Sequence, residues 1–242
     1  MRELLANAHR ADPRAPLGIE VEVQVLGPVT VVGASRPFAR TWALELVAYL
    51  ALHPRGVTND RWATALWPDR IVADPTRHST ASAARRALGR SAAGHDHLPR
   101  RHGALALAPT VGTDWDRFRT LACSSEPAAW RDALSLVRGR PFDGLRGGDW
   151  TVLEGIGARL EDDVVQVALR LADHLLDRGD GHGAERAARA ALLASPYDER
   201  CYRALLRAAD RQGNPAGVES AMAELVCLVG GDPGDPGDPG DP

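Results

Sequence analysis

The 242-residue chain contains no lysine; all 29 of its basic residues are arginine. With abundant alanine and glycine, this bias points to a GC-rich coding sequence and says nothing of function. Paired cysteines are missing as well. Cys123, Cys201 and Cys227 stand far apart in an odd count with no Cys-x-x-Cys. That excludes a disulfide framework and predicts reduced, helix-packing thiols in a cytoplasmic setting. No apolar run reaches the roughly 18 residues of a membrane span. The first 18 residues hold Arg2, Glu3, Arg10, Asp12 and Arg14 without an apolar stretch, so no signal peptide is expected.

Catalytic and cofactor motifs are equally scarce. Gly144, Gly147 and Gly148 lack a following Gly-Lys-Ser/Thr, which argues against a phosphate loop. His95, His97 and His102 have no cysteine nearby, and His-x-His alone is a weak metal signal. Glu161, Asp162 and Asp163 are consecutive on a predicted helix and point in different directions, so they read as a solvated face. No nucleophile–base spacing is recognisable. The expectation is no enzyme, no metal and no cofactor. Trp115, Trp130 and Trp150 read as core anchors.

What is present is an ordinary globular composition, 44% hydrophobic and 25% charged, with length for one to two domains. The net charge of −3 conceals an asymmetry. Residues 1–112 carry 14 arginines against 9 acids, a net +5, and residues 113–242 carry 15 against 23, a net −8. The front half suits a phosphate partner and the back half repels one.

Val21, Val23 and Val25 alternate with Glu20, Glu22 and Gln24, which predicts a half-buried strand. Gly27-Pro28 breaks it, and Val29–Val32 reads as an antiparallel partner. From Thr41 the period becomes helical, with Trp42, Leu46 and Leu50 on one face until Pro54. Thr58-Asn59-Asp60 offers caps for a second helix through Trp62 and Leu66, closed by Pro68. Asp74-Pro75 opens a third, ending at Leu88 with Gly89 able to terminate it. Residues 98–107 read as a small hairpin. Two strands, three helices and a hairpin are the order of a winged helix-turn-helix with a leading sheet. Beyond Thr113 the pattern is helical, broken at Pro127, at Gly139–Gly148 and at Gly179–Gly183. A period of 34 maps Ala168, Leu171, Leu175 and Gly179 onto Tyr202, Leu205, Ala209 and Gly213, the register of a tetratricopeptide-type helical pair. The fold class expected is mostly α with small β elements. Its layout is a leader at 1–18, a winged helix at 19–112, a tetratricopeptide-like all-α domain at 113–229 and a disordered Gly-Asp-Pro tail at 230–242.

Several short stretches, in order, carry a family likeness. They are Val25-Leu26-Gly27-Pro28-Val29, Tyr49–Pro54, Ala65-Leu66-Trp67-Pro68-Asp69, Ser82–Gly89, Thr113-Asp114-Trp115, Asp149-Trp150 with Glu154, and Pro196–Arg200. Together they resemble the actinobacterial SARP-type regulators, whose helical half is called the bacterial transcriptional activator domain. The likeness covers roughly Val21 to Val229. It implies a transcriptional regulator whose third helix enters the major groove of double-stranded DNA, while the helical half makes dimer, polymerase or intramolecular contacts. The residues expected at DNA are Arg77, His78, Ser79, Ser82, Arg85 and Arg86 on the third helix, and Arg100 and Arg101 on the wing. The chain departs from the family pattern Ser-Arg-Leu-Arg-Arg-x-Leu at Ala83 and Ala84. The first change removes a groove-facing cation. The second thins the inner face, a gap that Trp62 or Trp67 is expected to fill. The stretch is also similar to the C-terminal region of larger actinobacterial signalling proteins, which keeps open an interaction or output module without DNA readout.

Overall fold

In a computed structural model, the described residues are 18–100 and 103–229. The leader at 1–17, Arg101, His102 and the Gly-Asp-Pro tail lie outside them. A short sheet opens the fold: β1 (Val21–Gln24) pairs antiparallel with β2 (Thr30–Val32). Helix α1 (Thr41–Ala51) follows, then β3 (Val57–Thr58), α2 (Asn59–Leu66) and α3 (Asp74–Leu88). The strand β4 (Ala104–Leu105) precedes β5 (Val111–Thr113). The helical half comprises α4 (Asp114–Ala122), α5 (Pro127–Leu134), α6 (Asp149–Leu153), α7 (Ile156–Asp177), α8 (Gly181–Ala194), α9 (Glu199–Arg211) and α10 (Pro215–Val229).

Local chemistry explains the elements. The Thr58 hydroxyl caps α2 by accepting from the Arg61 N–H. Pro75 sits in the first turn of α3, where its missing N–H leaves no bond unmade. The cap of α3 is Ala73 rather than Asp74, which becomes a first-turn acid facing the helix dipole. Gly89 ends α3 at φ +78°, and a Cβ there would collide with the Ser35 hydroxyl. Both backbone conformation and space therefore demand glycine.

One strand expectation is corrected. Among the described residues of 98–107, no strand pairs with another. β4 instead pairs antiparallel with β3, joining Val57 to Leu105 and Thr58 to Ala104. Pro99 has no N–H to give a ladder, and Leu98 is fully buried as a core residue. A further strand that was not anticipated is β5, which pairs parallel with β1 from Val21↔Val111 to Val23↔Thr113. Three residues with a central Gly112 show no alternation, so the sequence concealed this strand. The position expected to divide the chain, 112/113, falls inside it.

Three main-chain bonds stitch the leading sheet to the segment after α5. Arg138 N donates to Leu26 O (2.7 Å), Phe142 N to Val25 O (3.0 Å) and Val29 N to Asp143 O (3.1 Å). Asp114 accepts from the N–H groups of Val25 (2.7 Å) and Leu26 (3.1 Å). Glu45, fully buried on α1, accepts from Arg146 N (2.5 Å) and Gly147 N (2.9 Å). Further along α1, the Tyr49 hydroxyl donates to Glu154 (3.0 Å), whose other oxygen lies 2.8 Å from His53 Nε2. Glu45 and Tyr49 on α1, and His53 just past its end, recur every four residues, so one side of this segment meets the helical half. The buried apolar residues form one cluster running from Val21 to Ala221. Trp115, Trp130 and Trp150 are buried anchors within it. Beyond them, α7 to α10 stack as two successive helical pairs.

The thiols divide. Cys201 is buried in α9, while Cys123 and Cys227 are exposed, against the expectation that all three pack inside. The acidic triplet is not simply solvated either: Asp162 pairs with Arg200 (2.8 Å) and Glu161 with Arg140 (3.4 Å).

Candidate nucleic-acid interface

A helix turns about 100° per residue, which sorts the side chains of α3 into faces. Thr80, Ala84, Ala87 and Leu88 are buried, and this face packs on α1. The opposite stripe carries His78, Ser79, Ser82 and Arg86. His78 and Arg86 are exposed, and the two serines are half-buried. The Ser79 hydroxyl accepts from Arg40 Nη1 at 2.6 Å.

Arg77 and Arg85, expected beside His78, turn elsewhere. Arg77 is clasped by Asp60 (2.6 Å) and by Asp74, with only 21% of its side chain exposed. Asp60 and Asp74 hold its guanidinium more firmly protonated than usual, the hydrogen bond to Asp60 contributing most. Arg85 donates from Nε to the Leu98 carbonyl (2.8 Å), tying α3 to the segment that leads into the wing. Burial, with the nearby Arg100 charge, lowers its pKa from the ordinary value. Both arginines therefore serve the frame of the winged helix. Neither is bonded to an acid of the helical half.

The wing presents Arg100, exposed, with Asp96 at 3.8 Å and shared with Arg90 (3.0 Å). Arg101 lies outside the described residues. His97 is not on the surface: it is buried, its Nδ1 lies 2.8 Å from the Thr110 hydroxyl, and burial lowers its pKa. Among the described residues, no group of three metal-ligating side chains comes together.

Two cations were missed by reading α3 alone. Arg36 and Arg40 flank a shallow groove of about 160 Å³, lined also by Phe38, Ala83 and Arg86. The loop that carries them is pinned to the end of α3, where Arg36 N donates to Ala87 O (3.1 Å) and the Ser35 hydroxyl to Leu88 O (3.2 Å). The signal was legible in Ser35-Arg36-Pro37-Phe38-Ala39-Arg40, two arginines just ahead of a helix start. Their proximity to Arg86 was not. Ala83, where the family pattern has arginine, forms part of the groove wall. Ala84, where it has leucine, is fully enclosed in the core. Trp62 and Trp67 are buried as expected, but they pack on each other at 6.0 Å, with Trp42 5.0 Å from Trp67.

The architecture is a winged helix with a bridging sheet, joined to a stack of paired helices. Residues 118–225 match the family described as the bacterial transcriptional activator domain. The chain carries that domain behind a winged helix. No curated protein matches the chain. Among solved structures it is similar to Mycobacterium tuberculosis EmbR in complex with a low-affinity phosphopeptide. The TM-score is 0.62 and the identity 23%, over 91% of this chain. The chain spans 62% of that structure's length. No helix among the described residues is long and apolar enough to cross a membrane.

Proposed function

We propose that the chain is a non-enzymatic regulator that binds double-stranded DNA by laying the His78–Ser82–Arg86 stripe of α3 in the major groove. The observation that carries this reading is the freedom of that stripe: α3 buries its inner face on α1, and Arg86 has no ion pair among the described residues. Arg86 is the side chain best suited to bridge a guanine edge, and Ser82 and His78 offer shorter hydrogen bonds. Arg36 and Arg40, beside the groove, and Arg100, on the wing, are placed to neutralise phosphates and set the register. Arg77 and Arg85 act indirectly by holding α3 and the wing in place. Polymerase contact, self-association and a cytoplasmic setting are parts of the same proposal, assigned to the helical half and to the reduced thiols.

The competing reading, an interaction module without DNA readout, draws on the same departure at Ala83. Gel retardation of genomic fragments at low and moderate salt separates the two. Retardation that weakens steeply with salt supports DNA binding. A folded preparation that retards nothing at low salt ends it.

A further inference from the structure

A cleft lies away from α3, on the seam between the leading sheet and the first helices of the activator half. It encloses about 500 Å³, within the roughly 300–1,000 Å³ of small-molecule sites. Its walls come from both halves. Gln24 stands on β1, Arg117 and Leu121 on α4, and Asp132, Leu136 and Arg138 on α5 and the turn after it.

Arg117 and Asp114, the buried charges of the cleft wall, already have partners within the seam. Arg117 pairs with Glu22 at 3.1 Å, both side chains 8% exposed. Asp114 receives the N–H groups of Val25 and Leu26, and burial pushes its pKa up to about 6. Arg138 is different. Its side chain is a third exposed. Two of its five N–H donors go to Pro28 O (3.0 Å) and Asp114 Oδ2 (3.4 Å). The remaining three have no partner among the described residues. Beside this fork, Leu121 and Leu136 offer a half-buried apolar wall. Two guanidiniums and two carboxylates line the cleft; of the carboxylates Asp114 is buried and Asp132 is exposed on the rim.

We propose that this cleft binds a small organic anion with an apolar body, its anionic group on Arg138 and its body against Leu121 and Leu136. Such an occupant touches the winged helix through Gln24 and the activator half through the rest. The proposal does not depend on DNA binding, so the two fail separately.

The test uses 1-anilinonaphthalene-8-sulfonate, an anion with an apolar ring system, titrated into the full chain at neutral pH. The expected result is saturable, single-site fluorescence enhancement. Arg138→Gln should weaken it about ten-fold, the loss of one charge-assisted hydrogen-bonded pair. Arg203→Gln, on α9 and outside the cleft's walls, should leave it unchanged. In the wild-type chain, titration should also move the amide resonances of Leu121, Ser135 and Leu136, a readout independent of how any variant folds. The proposal is overturned by the absence of saturable binding. It is overturned equally by unchanged affinity in folded Arg138→Gln, or by resonance shifts confined to α10.

Discussion

Two residues at the seam show how much single positions decide. Gly147 has no room for a side chain: a Cβ would lie 2.7 Å from the Trp42 ring, 2.8 Å from Glu45 Oε2 and 2.9 Å from Leu66 O. Two of these neighbours belong to packed rings and backbone and cannot withdraw. Gly147→Ala should cost about 1–3 kcal/mol by overpacking, read as a lower urea midpoint at unchanged m. Asp114 makes a pH statement. Its pKa is raised from 3.8 to about 6, so the folded state holds the proton more tightly than the unfolded chain. The resulting stability is complete below about pH 4 and is lost as pH rises through 6. Relative to Asp114→Asn, the wild-type chain should lose on the order of 3 kcal/mol between those limits. Parallel stability profiles for the two proteins would refute the assignment.

At the scale of the element, α3 shows what a pattern reveals and what it hides. Its start at Asp74-Pro75 and its stop at Gly89 were legible, because prolines and glycines act through backbone geometry that needs no tertiary partner. Which arginines stay free for the proposed DNA contact was only half legible. Arg77, Arg85 and Arg86 look alike in sequence, yet Asp60 and Asp74 claim the first and the Leu98 carbonyl the second. Arg86→Ala should weaken DNA binding and reduce the salt slope by about one, as one phosphate or base-edge cation is lost. Arg77→Ala should leave that slope unchanged and lower the melting temperature instead. A reversed pattern in salt-dependent gel shifts and thermal melts would exchange their roles. The missed strands β3 and β5 teach a similar lesson. A strand of two or three residues has no period to read, and only its partner defines it.

At the scale of the whole molecule, the continuous core argues for one cooperative unit. The chain divides by charge into a basic front and an acidic back, yet the buried cluster runs from Val21 to Ala221 without interruption. β5 leads directly from the leading sheet into α4, and Glu45 Oε1 and Asp114 accept main-chain hydrogen bonds across the seam. Scanning calorimetry should show a single transition whose calorimetric and van't Hoff enthalpies agree. Two resolved transitions would mean that the halves fold independently. A corollary concerns the Tyr49–Glu154–His53 cluster: Glu154→Ala should destabilise the whole chain, lowering this one transition rather than creating a second.

The amino-acid sequence by itself determined the order of the helices, their caps and breaks, the 34-residue repeat and the basic character of the front half. All of these arise from interactions within one turn or one repeat, or from composition alone. Tertiary structure decided which arginines remain free, that Arg36 and Arg40 join Arg86, that β4 pairs with β3 rather than with its own neighbours, and that the halves share a core. Those outcomes depend on contacts between residues tens of positions apart, where burial, competing carboxylates and vacant backbone donors choose among side chains of equal propensity.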